Sequence, residues 1–348
     1  MKEQSMRVIR FEQFGEPADV LKVCESEEPV ARAGEVLVRM LASPVNPSDL
    51  LNIRGGYSTR PALPAVPGFE GVGIVEASGG GLRGSILKGK RVVVLNRQTG
   101  NWADKVAVSS QFVIPVSGKL TVDQAATFFV NPATAYVLVK QVLKIPAGEW
   151  LIQTAAASAV GRMIIRLGQL EGFKTLNVVR RQEQAAELKA LGAQHVIVFN
   201  AAHDDERILI DQIRKLTGKQ TLRYVIDPVG GKTASALVKV LGERSRLIVF
   251  GSLDDAPLNF FSRDLIRTGA SIEGFWLARH MERLSLPAKI RLVSKLTGLI
   301  RQGVLSTEIS ARYPLDQIVE AVGEAERQGT SGKVLLTMPA ADGSTPHD

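Results

Sequence analysis

The sequence is poor in cysteine, histidine and aromatic residues. Its single cysteine, Cys24, excludes an internal disulfide and a cysteine-rich zinc site. Aromatic residues are only 5% of the chain, and the basic residues are dispersed without a zinc-finger or basic-region pattern, so no nucleic-acid partner is expected. The longest uncharged run, residues 124–139, contains Asn131 and Pro132 and falls short of a membrane span. The N-terminal residues carry no apolar signal core, so we expect a cytoplasmic protein with no membrane partner.

Length and composition indicate a globular protein of two domains. The chain has 348 residues, of which 45% are hydrophobic and 22% are charged. A chain of this length is too long for one ordinary core. The net charge of +8 has two interpretations. It could attract polyanionic ligands such as NADPH or coenzyme A esters, or it could be a solvated basic surface without a partner.

The first 122 residues are rich in short β-type segments, and we assign residues 1–122 to an all-β domain. Gly, Pro and Ser separate the segments, which predicts a small barrel or a partly open sandwich. Residues 46–68 are rich in Pro and Gly and predict a long loop that lines a site. The predicted strands include residues 35–41, 71–76, 91–95 and 105–108.

From about residue 123 the pattern alternates between strands and helices. This alternation predicts an α/β fold with a doubly wound parallel sheet, the Rossmann arrangement, in which a nucleotide lies across the carboxyl ends of the strands. Gly192 and Gly218 are predicted to end helices. The predicted strands are residues 149–155, 174–179, 195–199, 222–227, 246–251 and 271–277, and the predicted helices are 158–171, 182–191, 205–216, 232–241 and 283–302.

The last part of the chain is predicted to return to the N-terminal domain. Its pattern is strand, helix, strand over residues 308–313, 315–328 and 333–338, and we expect these elements to complete the β domain. The predicted boundaries are 123–308 for the nucleotide-binding domain, 309–340 for the returning segment and 341–348 for a disordered tail.

The most informative stretch is a string of very small residues between a strand and a helix. Small side chains let a backbone approach a pyrophosphate, and the following helix directs its positive N-terminal end toward it. A plain tight connection between strand and helix is the alternative, but it needs fewer small residues. We therefore predict that the pyrophosphate binds at Ala157, Ser158, Ala159, Val160 and Gly161.

A pair of arginines follows about twenty residues after this turn. An NAD-preferring fold carries an acidic residue there for the ribose hydroxyls, whereas this chain has Arg180 and Arg181. Guanidinium groups form bidentate contacts with phosphate, so the pair predicts binding of the 2′-phosphate of NADPH. The alternative is a solvated start of a helix. Gln182 is a candidate contact to the adenosine ribose.

Five short motifs in a fixed order identify a family. Together they resemble the medium-chain dehydrogenase/reductase superfamily over about residues 8–338, which implies a GroES-like β domain joined to a Rossmann domain. The motifs are Ser43–Asp49, Pro67–Gly73, Asn101–Asp104, Asn131–Tyr136 and Ser331–Leu335.

The sequence departs from the zinc-dependent members of this superfamily. Those enzymes carry a catalytic Cys and a Gly-His-Glu motif where this chain has Asn46 and Gly68-Phe69-Glu70. The structural lobe with four cysteines is also absent, and zinc prefers Cys, His and carboxylate ligands. We therefore predict that no metal is bound.

Two metal-free groups of the superfamily remain. The quinone reductases usually have Ala-Ala-Ala-Gly-Gly-Val-Gly at the turn, whereas residues 155–161 here read Ala-Ala-Ala-Ser-Ala-Val-Gly. That variation is similar to mitochondrial-type trans-2-enoyl thioester reductases. So are residues 53–57 with 63–66, residues 177–180, and residues 274–277, which we place on the sixth strand of the Rossmann sheet.

The resemblance implies roles for further residues. Tyr57 would be the catalytic acid, and Trp276 would line the acyl pocket, although a loop tyrosine packed on the β domain and a core tryptophan are the alternatives. The implied cofactor contacts outside the turn and the arginine pair are Asn46, Asn131, Phe250, Gly251, Ser252, Phe275, Trp276, Leu277 and Lys333.

We therefore predict an NADPH-dependent, metal-independent reductase of activated C=C bonds, with a trans-2-enoyl-CoA or acyl-carrier-protein thioester of fatty acid metabolism as substrate. An NADPH:quinone oxidoreductase is the second enzyme class. A sensor or structural protein that binds NADPH without catalysis is the third possibility, because a fold does not determine a function. The segment Ser271–Leu277 could pair with its copy in a second subunit, so we expect a homodimer.

Overall fold

The computed structural model describes residues 5–57, 59–96, 99–218, 221–327 and 332–338. The chain divides into two compact units. Met1–Val130 and Thr307–Asp348 form the first, which we call the β unit, and Asn131–Ser306 form the second, which we call the Rossmann unit. The predicted tail, residues 341–348, lies outside the described residues. Within the described ranges, no helix is both long enough and apolar enough to cross a membrane.

In its described residues before Val130, the β unit has seven strands and four short α-helices. The strands are β1 (Ser5–Arg10), β2 (Lys22–Glu27), β3 (Glu35–Pro44), β4 (Glu70–Ser78), β5 (Arg91–Leu95), β6 (Lys105–Ser109) and β7 (Val113–Pro115). The helices are α1 (Pro17–Val20), α2 (Pro47–Ile53), α3 (Leu82–Leu87) and α4 (Val122–Ala126).

The helices correct the prediction that this part is all-β, and α2 corrects the prediction of a continuous loop over residues 46–68. The physical reason is local. Asn46 is the N-cap, Pro47 fits the first helical position because its missing N–H needs no partner there, and Asp49 accepts the N–H of Asn46 at 2.9 Å. The Pro-rich composition therefore predicted a loop at a position where proline is the first residue of a helix.

The Rossmann unit alternates between helices and strands as predicted. Its elements in chain order are α5 (Val130–Val137), β8 (Trp150–Gln153), α6 (Ala159–Glu171), β9 (Lys174–Val179), α7 (Gln182–Ala190), β10 (His195–Val198), α8 (Glu206–Thr217), β11 (Tyr224–Asp227), α9 (Gly231–Val238), β12 (Arg246–Val249), α10 (Ser262–Thr268), β13 (Ser271–Gly274), α11 (Leu277–Arg283) and α12 (Leu286–Arg301).

The six strands found among the described residues of this unit are parallel, in the order β10-β9-β8-β11-β12-β13. The order reverses between β8 and β11, and such a switch point opens a crevice at the carboxyl ends of the strands. Ile152, Val178 and Val225 are central to the apolar core of this sheet. Gly192 and Gly218 follow α7 and α8 with positive φ, as predicted for residues that end helices.

The sixth strand is shorter than predicted. β13 ends at Gly274, Phe275 follows it, and Trp276 is the N-cap of α11. β13 pairs only with β12 within the described residues, and β12 itself ends at Val249, opposite Gly274. Once its partner strand ends, the backbone of β13 has no ladder to follow and turns into a helix.

The C-terminal segment returns to the β unit, as predicted. It contains β14 (Ile309–Pro314), α13 (Ile318–Glu326) and β15 (Lys333–Thr337). β15 is antiparallel to β3 and parallel to β14, so that one sheet runs β14-β15-β3-β4-β5-β7, with β6 also paired to β3. Leu336 from this segment joins Val38 and Trp102 in one buried core.

Candidate active site

The small-residue turn lies at the carboxyl end of β8, next to the switch point of the sheet. Ser158 is the N-cap of α6, and its hydroxyl accepts the N–H of Gly161 at 3.2 Å. The N–H groups of Ala159 and Val160 belong to the first helical turn and so have no intrahelical partner. A 13-residue helix therefore begins at the turn with backbone donors that lack intrahelical acceptors and with the positive end of its dipole.

The backbone of this turn is held tightly from behind. A Cβ on Gly161 would lie 2.3 Å from the carbonyl oxygen of Ala156, so only glycine fits there. Gln153 donates from Nε2 to the carbonyl of Gly161 at 3.0 Å, and Arg162 donates from Nε to the carbonyl of Ala157 at 3.0 Å. Arg162 also forms an ion pair with Glu187 of α7. These contacts fix the turn relative to the next helix.

We expect the substitution Gly161→Ala to lower the free energy of unfolding by roughly 1–3 kcal/mol, the usual cost of overpacking. The added methyl group would collide with backbone atoms of Ala156, which cannot rotate away. Denaturant titration measures the change. Gly298→Ala is the matched control, because Gly298 lies within α12 with no atom within 4 Å of its would-be Cβ. Equal effects of the two substitutions would contradict the argument.

The arginine pair follows β9, the strand next to β8. Arg180 is exposed and Arg181, the N-cap of α7, is half-buried. Both backbone N–H groups donate to Oε1 of Gln184 at 3.2 Å, which orders the start of the helix. Gln182 is the exposed first residue of α7. The turn and the arginine pair thus lie at the carboxyl ends of neighbouring parallel strands.

The other predicted residues of the Rossmann unit follow β12 and β13. Phe250 is half-buried, Gly251 lies against Pro228, and Ser252 is exposed. Phe275, Trp276 and Leu277 are half-buried. The ring of Phe275 lies 5.8 Å from that of His280, which in turn hydrogen bonds with Gln141 at 2.9 Å. All of these segments lie at the carboxyl edge of the sheet.

The polar groups of the Rossmann unit fit a dinucleotide with a 2′-phosphate. Asn131 belongs to α5, and its buried Nδ2 has no hydrogen-bond partner among the described residues. Like the first backbone amides of α6 and the guanidinium groups of Arg180 and Arg181, it is a donor suited to phosphate or carbonyl oxygens. In the β unit, Oδ1 of Asn46 is an acceptor that is equally buried and without a partner among the described residues.

Tyr57 lies in the β unit, in the loop that follows α2. It is half-buried, and its ring packs against that of Phe69 with a centroid distance of 5.2 Å and an angle of 39° between planes. The alternative interpretation of Tyr57 was a loop tyrosine whose ring packs on the β domain, and the contact with Phe69 agrees with it. A packed ring is also compatible with a hydroxyl group that donates a proton.

A buried polar cluster surrounds Asn46. Asp49 accepts the N–H groups of Asn46 and Phe69, each at 2.9 Å, and Glu70 accepts from Nδ2 of Asn46 at 3.1 Å. Glu70 also accepts the N–H groups of Phe129 and Val130, at 3.2 and 2.9 Å. The cluster thereby joins α2, the start of β4 and the segment before α5.

Lys333, a predicted cofactor contact, is also a buried residue of this cluster. Burial lowers the pKa of its ammonium group, although Glu70 and Asp49 oppose that shift. Burial raises the pKa of Glu70, and it raises the pKa of Asp49 to about 7. The charge of Glu70 raises the pKa of Asp49 further, while the Asn46 and Phe69 N–H groups and Lys333 lower it.

The raised pKa of Asp49 gives a prediction about stability and pH. The folded protein keeps a proton that the unfolded chain loses above its ordinary value of 3.8, so Asp49 reduces stability as pH rises from about 4 to about 7. The quantity to compare is the free energy of unfolding of the wild type minus that of Asp49→Asn. We expect this difference to fall by up to about 1.4 kcal/mol for each pH unit between about pH 4 and about pH 7. Urea titrations at several pH values measure it, and a flat or rising difference would contradict the prediction.

The residues at the metal positions of zinc-dependent relatives do not fit zinc. Asn46 offers an amide, and Phe69 offers a hydrocarbon ring. Among the residues that the structure describes, no group of three or more His, Cys, Asp and Glu could hold a metal ion.

Five residues that hold the turn or form the buried cluster and its contact with Tyr57 had no predicted role. They are Gln153, Arg162, Asp49, Phe69 and Glu70. For Asp49 a signal existed, since an acidic residue three positions after Asn at a helix start is typical of a capping box. For Gln153 and Arg162 no local signal exists, because their partners are backbone atoms brought close by the fold.

Comparison with known proteins shows similarity along nearly the whole chain. A family model described as alcohol dehydrogenase GroES-like domain matches residues 32–118, and one described as zinc-binding dehydrogenase matches residues 159–295. The human mitochondrial enoyl-[acyl-carrier-protein] reductase is 31% identical over 338 residues, which is 96% of this chain and 89% of that protein.

Solved structures also superimpose on the chain. The Escherichia coli quinone oxidoreductase complexed with NADPH has a TM-score of 0.85 and 25% identity, covering 95% of this chain and 99% of the other. The Etr1p complex with NADP and crotonyl-CoA has a TM-score of 0.81 and 26% identity, covering 96% of this chain and 100% of the other.

Proposed function

The chain belongs to the medium-chain dehydrogenase/reductase superfamily, and from that premise we propose that it is an NADPH-dependent trans-2-enoyl thioester reductase. The observation that carries the substrate class is the similarity to the human mitochondrial enoyl-[acyl-carrier-protein] reductase over 96% of the chain. The Etr1p complex with crotonyl-CoA supports the same class. The presence of a tyrosine, Tyr57, at the position that the resemblance gives to the catalytic acid agrees with it.

The proposed cofactor site rests on the donors of the Rossmann unit. The pyrophosphate binds the start of α6 at residues 157–161, and Arg180 and Arg181 bind the 2′-phosphate. Gln182 contacts the ribose, while residues 250–252 and 275–277 contact the nicotinamide end. Asn131, and Asn46 and Lys333 of the β unit, are further proposed contacts. NADPH, when bound, supplies the hydride that adds to Cβ of the substrate.

The proposed role of Tyr57 is that of the acid. Addition of hydride at Cβ breaks the C=C π bond and leaves negative charge on the thioester oxygen, as an enolate. The phenol of Tyr57 donates a hydrogen bond to that oxygen and supplies the proton at Cα, directly or by relay. Trp276 is proposed to line the acyl pocket. No metal is needed, because the thioester carbonyl already withdraws charge from Cβ.

The experiment that tests this function is an NADPH oxidation assay with enoyl thioesters of graded acyl length beside a panel of quinones. Both coenzyme A and acyl-carrier-protein thioesters are supplied. Turnover of the thioesters with reduction of the C=C bond, identified by mass spectrometry, is the expected result. NADPH oxidation by quinones alone would overturn the proposal.

A quinone reductase is the second candidate, favoured by the similarity to the quinone oxidoreductase of E. coli at a TM-score of 0.85. Such an enzyme needs a flat acceptor slot and no proton-donating tyrosine.

The third possibility, a sensor or structural protein, predicts that NADPH binds but is oxidised by no enoyl thioester, enone or quinone. The same assay separates all three. A cytoplasmic location stays a prediction from the sequence.

We also propose that the protein is a homodimer joined through β13. This strand is at one end of the sheet, and α10, which leads directly into it, carries Ile266 with 81% of its surface exposed. Among the described residues, the outer edge of β13 has no paired strand, and such an edge together with an exposed apolar side chain is a surface that a second copy could cover.

The proposed dimer gives a prediction for Ile266→Asp. A charge at this interface would be buried without a partner, so we expect the variant to be monomeric at concentrations at which the wild type is dimeric. Light scattering coupled to size exclusion measures the mass. Leu82→Asp is the matched control, because Leu82 is also 81% exposed but lies on α3 of the β unit. A monomeric wild type would contradict the proposal.

A further inference from the structure

The ring of Phe69 contacts the ring of Tyr57, the proposed acid. A proton donor must lie within about 3 Å of its target, so the orientation of the phenol matters. The ring of Tyr57 is half-buried, and it packs against the ring of Phe69 at 5.2 Å between centroids. That distance is within the range of favourable aromatic pairs. Whatever fixes Phe69 therefore limits where the Tyr57 ring can lie.

Phe69 is fixed by its backbone. Its N–H donates to Oδ1 of Asp49 at 2.9 Å, and the other oxygen of Asp49 accepts the N–H of Asn46 at 2.9 Å. Asp49 is only 1% exposed, so water does not compete for these bonds. One buried carboxylate thus connects Asn46, the N-cap of the helix that leads to Tyr57, with Phe69, the residue against which Tyr57 packs.

The residues on either side of Phe69 are also held. A Cβ on Gly68 would lie 2.5 Å from Cδ1 of Trp102, so the backbone at residue 68 runs directly against that buried ring. Glu70 accepts hydrogen bonds from the backbone N–H groups of Phe129 and Val130. Phe69 itself is half-buried and lies outside the apolar core cluster of the described part of the β unit. Its ring contacts that of Tyr57 instead.

We propose that Phe69, held in place by Asp49, is a positioning residue that orients the phenol of Tyr57 for protonation of the substrate. This inference rests on the proposed function, which makes Tyr57 the acid. Phe69 acts through the contact of its ring with Tyr57, and Asp49 acts through the backbone of Phe69. Neither needs to touch the substrate.

The kinetic test is a double-mutant cycle between Phe69→Leu and Tyr57→Phe in the full-length protein with crotonyl-CoA. We expect Phe69→Leu to lower kcat on the order of tenfold, within the range for residues in contact, with a smaller change in KM. In the Tyr57→Phe background the same substitution should have no further effect on kcat. Phe69→Tyr keeps the ring and should restore most of kcat. Asp49→Asn should behave as Phe69→Leu does, because an amide can accept only one of the two N–H bonds.

The matched control is Phe14→Leu. Phe14 packs beside the same loop, 3.0 Å from the position of a Cβ on Gly55 and 5.4 Å from the guanidinium carbon of Arg60. General loosening of the loop predicts equal and additive effects of Phe14→Leu and Phe69→Leu on kcat. That outcome would overturn the proposal, as would a Phe69→Leu effect that persists undiminished in the Tyr57→Phe background.

A second readout does not depend on activity. The chain has four tyrosines, and the Cζ resonance of Tyr57 in a ¹³C-tyrosine-labelled protein is the one that disappears in Tyr57→Phe. We expect it to shift or broaden in Phe69→Leu and in Asp49→Asn but not in Phe14→Leu. An unchanged resonance overturns the positioning role. If the wild type reduces no enoyl thioester but the resonance moves as expected, the proposed function fails while the control of Tyr57 by Phe69 stands.

Discussion

Replacing Tyr57 by Phe is expected to lower kcat for crotonyl-CoA by roughly 10²–10⁴-fold, the usual contribution of a positioned general acid. The substitution removes one hydroxyl and keeps the ring that packs against Phe69, so the fold of the loop should persist. Without the hydroxyl, the enolate oxygen loses its hydrogen-bond donor and Cα loses its source of a proton. Steady-state kinetics at saturating NADPH measure the change.

Two controls accompany this variant. Its affinity for NADPH should match that of the wild type, because the proposed nucleotide contacts do not include Tyr57. Any turnover of quinones should also persist, since quinone reduction needs no proton from this residue. Full activity with crotonyl-CoA after the substitution would show that Tyr57 is not the acid, and the proposed mechanism would have to be abandoned.

Replacing both Arg180 and Arg181 by Ala is expected to raise the Kd for NADPH on the order of a hundredfold, as loss of two charge-assisted hydrogen bonds implies. The Kd for NADH should hardly change, because NADH has no 2′-phosphate. The preference for NADPH would therefore nearly vanish. Titration calorimetry with both nucleotides measures it without reference to any substrate.

The matched control for this prediction is the double variant Arg291→Ala and Arg301→Ala. Both residues are exposed arginines of α12, so the change in net charge is the same. We expect both affinities to remain near their wild-type values. If the wild type binds NADH as tightly as NADPH, the assignment of Arg180 and Arg181 is wrong whatever the variants do.

The sequence predicted the Rossmann unit better than the β unit. The strand at residues 174–179 was placed correctly to the residue, and the helix predicted over 158–171 begins at Ala159. Alternation of apolar strands with capped helices is a local pattern, so it can be recognised without knowing how the elements pack together. In the β unit, α2 was missed because Asn46 and Pro47 suit a loop as well as a helix start. The end of β13 was missed because it depends on where its partner strand ends.

The sequence by itself determined the family, the parallel sheet and the small-residue turn before α6. Each depends on residues that are neighbours in the sequence: short motifs indicate the family, the spacing of apolar residues indicates the strands and helices, and small side chains indicate the turn. Only the tertiary structure decided that Asp49, Glu70 and Lys333 are buried together, and that Phe69 lies between Asp49 and the ring of Tyr57. These groups are contributed by separate segments of the chain. Their burial and pKa values depend on which segments the fold packs side by side, and no local pattern carries that information.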